Sequence, residues 1–102
     1  MKKIINGKMY NTETAECVEW YTNGLSKRDF CYKEEGIYRK KTGEWFLYGE
    51  GGAMTEYAEH LAGTMRGYGE GIIPLTLQEA KEWCEKHADI DTYIKYFGEV
   101  EG

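Results

Sequence analysis

Short apolar runs alternating with polar residues fill the first half of the chain, and apolar residues at helical spacing replace them toward the C-terminus. Ile4-Ile5 and Met9-Tyr10 flank Asn6-Gly7. A two-residue Asn-Gly link between apolar runs predicts a hairpin, because both turn positions need positive φ. The stretch 15–22 has mixed periodicity but β-favouring residues, which favours a strand over a helix, and Asn23-Gly24 ends it. From Asp29 to Gly49 the pattern predicts a meander. Its pieces are Phe30-Cys31-Tyr32, a turn through Glu34-Glu35-Gly36, Ile37-Tyr38-Arg39, a turn at Lys40-Lys41-Thr42-Gly43, and Trp45-Phe46-Leu47-Tyr48. Tight turns imply antiparallel neighbours.

Between Gly49 and Gly71 lie seven glycines, so a long surface loop with little regular structure is expected there. Met54 to His60 inside it fits a helical turn or a strand equally well. Ile72-Ile73-Pro74-Leu75 leads into Thr76-Leu77-Gln78-Glu79, a capping-box pattern that predicts a helix from Thr76 to Ala88. Leu77, Ala80, Cys84 and His87, with Trp83 beside them, form the apolar stripe expected to pack on the sheet. Asp89 or Asp91 can cap a second short helix, where Ile90, Tyr93, Ile94 and Phe97 share one face before Gly98 stops it. The acidic tail carrying Glu99 and Glu101 is expected to fray. The fold class is therefore α+β, in one domain over 1–102: an antiparallel meander of four to five strands with a C-terminal amphipathic helix and a short second helix.

Composition narrows the function classes. With 102 residues, 41% hydrophobic and 30% charged, and a single proline, the chain reads as a folded globule with a modest core. Apolar runs of only a few residues predict neither a membrane span nor a secretion signal. Three cysteines, an odd number, give no disulfide framework and fit a reducing cytoplasm. Residues 1–41 carry nine Lys/Arg against six Asp/Glu, whereas residues 42–102 carry four against twelve. An acidic second half opposes direct nucleic-acid binding, which draws its non-specific affinity from Lys and Arg on phosphate. The same half suits a basic surface on a protein partner, although acidic faces also serve simply to keep a small protein soluble. Nine Tyr, three Trp and three Phe exceed what so small a core buries, and Tyr and Trp are favoured in interfaces as well as in strands.

Candidate chemistry is sparse. Cys84 and His87 stand one helical turn apart, and Cys17, Cys31 or His60 could add zinc ligands in space, but only one closely spaced pair exists. The same two residues could form a thiol nucleophile and its base, without any hydrolase signature around them. Gly49-Glu50-Gly51-Gly52 lacks the Lys-Ser/Thr of a phosphate loop and carries a glutamate that would repel phosphate. No catalytic residue, metal or cofactor is expected.

Met1 to Lys8 with Tyr10 to Ala15, the block Tyr38 to Met54, and Ile72 to Thr76 with Glu79-Ala80-Lys81 resemble a family of small uncharacterised proteins. The family is found in low-GC Gram-positive bacteria, their phages and mobile elements. The resemblance covers most of the chain and carries no active-site motif. It implies a context of host-defence inhibitors, including anti-CRISPR proteins, that act by binding. The segment Thr64 to Glu70 departs from the family's Trp/Ser/Gly-rich loop, in a region where partner contacts vary. The reading is a non-enzymatic, anti-CRISPR-like inhibitor whose acidic half occupies the basic channel of a Cas effector. Glu50, Glu56, Glu59, Glu70, Tyr68 and Trp45 are the expected partner-binding residues, and an aromatic surface around Tyr32, Tyr38 and Trp45 is the alternative interface. An antitoxin or accessory regulator, or a small zinc- or thiol-dependent protein using Cys84 and His87, are the competing functions.

Overall fold

The structure, a computed structural model, describes residues 1–98; the expected fraying at Glu99 and Glu101 lies outside the described residues. Strands β1 (Lys2–Ile5) and β2 (Lys8–Asn11) form the N-terminal hairpin. Asn6 and Gly7 both have positive φ, 52° and 78°, as the Asn-Gly turn requires.

Strands β3 (Glu16–Thr22), β4 (Lys33–Arg39) and β5 (Trp45–Gly51) follow as an antiparallel meander. A small hairpin of β6 (Glu59–Ala62) and β7 (Met65–Gly67) then precedes β8 (Gly69–Leu75), which pairs with β5. The sheet order is β3-β4-β5-β8. Helices α1 (Leu77–His87) and α2 (Ile90–Phe97) complete an α+β fold.

Several expectations are corrected here. Phe30-Cys31-Tyr32 belongs to the connection before β4 and not to a strand, while Glu34-Glu35-Gly36 is the middle of β4 and not a turn. Gly36 is there for close approach: a Cβ on it would meet Trp20 Cε3 at 2.4 Å. The glycine-rich segment is likewise far more regular than a long loop. β5 runs through Gly51 and β8 begins at Gly69, and Gly49 has no side chain because the Tyr57 ring lies 2.1 Å from where its Cβ would stand. Met54 to Tyr57 is a run of turns, with β6 starting at Glu59.

The two sheet faces have separate cores. Ile37, Trp45 and Leu47 pack with Ala80, Trp83 and Cys84 of α1. On the opposite face, Phe46 and Ile72 pack under Tyr10 of the N-terminal hairpin. The capping box forms as expected: Thr76 Oγ1 accepts from the Glu79 amide at 3.1 Å, and Glu79 Oε1 accepts from the Thr76 amide at 2.9 Å. Of the two candidate caps for α2, Asp89 does the work, accepting from the Thr92 amide at 2.7 Å, and Gly98 closes the helix at φ 85°. Leu77, expected on the packed stripe, is exposed. No helix among the described residues is long and apolar enough to cross a membrane.

Candidate functional site

Strand parity divides the sheet's polar residues between its two faces. Ile37, Leu47 and Ile73 are cross-strand partners on the helix-covered face. One residue out of phase, Glu34 pairs with Glu50 and Glu50 with Glu70, so three carboxylates stand side by side on β4, β5 and β8 on the other face. The next row on that face is Trp20, Gly36, Tyr48 and Ile72. The N-terminal hairpin covers the Phe46 end of this face, leaving Trp20 41% and Tyr68 43% exposed at the other.

Like charges directly opposite one another destabilise a sheet. Here aromatic donors hold them. Glu34 accepts from Trp20 Nε1 at 2.6 Å and from the Tyr32 hydroxyl. Glu50 Oε1 lies 3.0 Å from the same hydroxyl, whose single proton the two glutamates share, and accepts from Tyr68, and Glu70 accepts from the Tyr48 hydroxyl at 2.8 Å. Among the described residues the row's one ion pair is Lys27 Nζ to Glu50 Oε1, at 3.5 Å. Burial pushes the Glu50 carboxyl upward, but the bonds from Tyr68 and Tyr32 and the Lys27 charge outweigh it and hold the group below its ordinary value. Burial, then the hydrogen bond to Glu50, pushes the Tyr68 phenol up to about 12, and Tyr32 and Tyr48 are raised further by burial and their own glutamates. The phenols therefore stay protonated and donate, and Glu50 stays an anion.

The expected partner-binding residues fall in different places. Glu50 and Glu70 are in the row, with Tyr68 beside them. Glu59, on β6, lines an open cleft of about 520 Å³ with Tyr57, Tyr68 and Glu70, next to the row. Glu56 is engaged elsewhere, paired with Lys33 Nζ at 2.7 Å; the Lys33 bond overcomes burial to lower its pKa. Trp45, 4% exposed, lies in the core against Tyr96 and Phe97, because odd positions of β5 face the helices. Tyr32 is also buried, and Tyr38 stacks on Phe46 under the hairpin, so the alternative aromatic surface does not form as a patch. Sequence reasoning missed Glu34, Trp20 and Tyr48. The signal was present: Tyr32-Lys33-Glu34, Tyr48-Gly49-Glu50 and Tyr68-Gly69-Glu70 repeat Tyr-x-Glu, within β5 and across the starts of β4 and β8, and spacing of two in extended backbone puts both residues on one side.

The sulfur and imidazole candidates do not converge. Cys84 is buried, and burial first of all pushes its thiol up to about 11, while Cys17 and Cys31 are exposed. His87 packs at a tilt against Tyr21 and Trp83, with ring centres 3.9 and 4.8 Å away, and His60 Nε2 lies 2.6 Å from the Gly63 carbonyl. Among the described residues no group of three His, Cys, Asp or Glu is placed to hold a metal ion. Gly49-Glu50-Gly51 is strand, which gives no phosphate-cradling loop. Comparison with protein-family models, with curated proteins and with solved structures finds no match.

Proposed function

We propose that the chain is a non-enzymatic binding protein whose Glu34-Glu50-Glu70 face engages a basic, nucleic-acid-handling surface of a protein partner. The observation that carries this reading is the in-register row of three glutamates on adjacent strands. A sheet gains nothing from that row by itself, since cross-strand like charges repel; a cationic partner turns the same repulsion into attraction. Trp20 and Tyr68 at its margin offer the rigid, amphipathic contact area that anchors interfaces. The more specific form of the reading, which rests on the family resemblance, is an anti-CRISPR-like inhibitor that fills the nucleic-acid channel of a Cas effector.

The test is competition. A labelled DNA target is bound to a Cas effector from a low-GC Gram-positive host and titrated with the chain, at low and at physiological salt. The reading predicts displacement of the DNA that weakens as salt screens the carboxylates over a Debye length of about 8 Å. Undisturbed DNA binding at both salt concentrations overturns the anti-CRISPR form.

A further inference from the structure

Helix α2 carries one apolar stripe, Ile90, Tyr93, Ile94 and Phe97, and the described residues of the fold cover only part of it. Tyr93 and Phe97 pack toward the sheet, with Phe97 stacked on Trp45 at a 5.0 Å ring separation. Ile90 is 74% exposed, and Ile94 is exposed on the same side one turn later. These two residues, with Tyr93, Cys84 and Ala88, line an open groove of about 210 Å³ at the junction of α1 and α2. Among the described residues the charged ones lining it are Glu85 and Asp89; Lys86 and Lys95, on the same helices, do not line it. Glu85 accepts from the Tyr93 hydroxyl at 3.4 Å, and Asp89 is fixed by the Thr92 amide. That backbone bond lowers the Asp89 pKa.

We infer that this groove is a second interaction site, on the side of the sheet away from the glutamate row, and that it takes an amphipathic segment of a partner presenting aliphatic side chains flanked by Lys or Arg. Pockets for drug-sized ligands start at about 300 Å³, so the groove suits one or two side chains of a docked segment. The acidic rim selects the occupant. In a two-fold contact between two copies the same patch meets itself, which would set Glu85 and Asp89 against their own counterparts in a chain of net charge −5. A basic segment meets the same rim with complementary charge.

The probes are two synthetic amphipathic helical peptides of equal length, one of Leu and Lys and one of Leu and Glu, titrated into the full chain carrying labelled isoleucine methyl groups. The Leu/Lys peptide is expected to shift the Ile90 and Ile94 methyl signals, and Ile90→Ser with Ile94→Ser, which removes the apolar contact without adding charge, to weaken its binding at that site by about tenfold or more, read from the peptide's own signal. A Glu34→Gln, Glu50→Gln, Glu70→Gln variant is expected to keep those shifts, which separates this site from the proposed sheet interface. Three results overturn the inference: equal binding of the Leu/Glu peptide, methyl shifts that vanish in the triple Gln variant, or self-association of the chain abolished by Ile90→Ser with Ile94→Ser. The double Ser substitution falls on a helix with no buried residue, and circular dichroism checks that the fold persists.

Discussion

Trp83 Nε1 donates a 3.1 Å hydrogen bond to Glu35 Oε1, joining α1 to β4 across 48 residues of sequence. Glu35 is 2% exposed, its other oxygen accepts from the Tyr57 hydroxyl, and Lys33 Nζ stands 3.7 Å away. This buried carboxylate fixes the register of β4, and the register is what aligns Glu34 with Glu50 on the opposite face. Trp83→Phe keeps an aromatic ring but removes the donor to the carboxylate and leaves a void where the pyrrole ring stood, at an expected cost in urea denaturation of about 1–3 kcal/mol for the lost bond, with the void adding to it. Tyr57→Phe should cost a similar amount, and the double variant should deviate from additivity because both act on one group.

Thr76→Ala removes the acceptor for the Glu79 amide at the start of α1. The expected loss is about 1 kcal/mol of stability. An unchanged denaturation midpoint would show that the cap contributes nothing.

Burial lowers the His87 pKa from 6.5, against the opposing Glu35 charge and with smaller help from Lys33 and Lys86. The unfolded chain therefore takes up a proton before the folded chain does as pH falls. Stability contributed by neutral His87 is complete above pH 6.5 and is lost as pH falls through the lower folded value. Denaturation midpoints should decline as pH falls below 6.5, and His87→Gln should flatten that decline. The carboxyls of Glu50 and Glu56, lowered from 4.5, lose their contribution only in more acid solution, so the two effects separate.

The glutamate row should be a site where stability is given up for function. Glu34→Gln with Glu70→Gln leaves hydrogen-bond acceptors in place and removes the like charge on either side of Glu50. Thermal denaturation at low salt is expected to show a stabilisation of about 0.2–1 kcal/mol per relieved pair, shrinking as salt is added. Destabilisation would mean that the carboxylates are structural.

Local signals told the fold's ends well and its middle poorly. Asn6-Gly7, the Thr76 and Glu79 pair, and Asp89 with Gly98 each act within a few residues of themselves, so the sequence alone identifies the hairpin and both helices. Gly36 and Gly49 misled because a glycine that makes room for a distant ring looks, in sequence, like one that makes a turn. The partners, Trp20 and Tyr57, are 16 and 8 residues away and nothing local announces them. Reading Glu34-Glu35-Gly36 as a turn also cut β4 down to Ile37-Tyr38-Arg39, which hid Glu34 and with it the row. Trp45 was misassigned for a related reason: the alternation in Trp45-Phe46-Leu47-Tyr48 is apolar on both faces, so the pattern does not say which face is covered.

The most direct measurement is parallel affinity capture from a low-GC Gram-positive host lysate on the wild-type chain and on the Glu34→Gln, Glu50→Gln, Glu70→Gln variant, with the retained proteins identified by mass spectrometry. The account predicts that the wild type alone retains a nucleic-acid-binding protein, and that added DNA or salt releases it. Equal retention by both chains, or retention indifferent to DNA and salt, would contradict it.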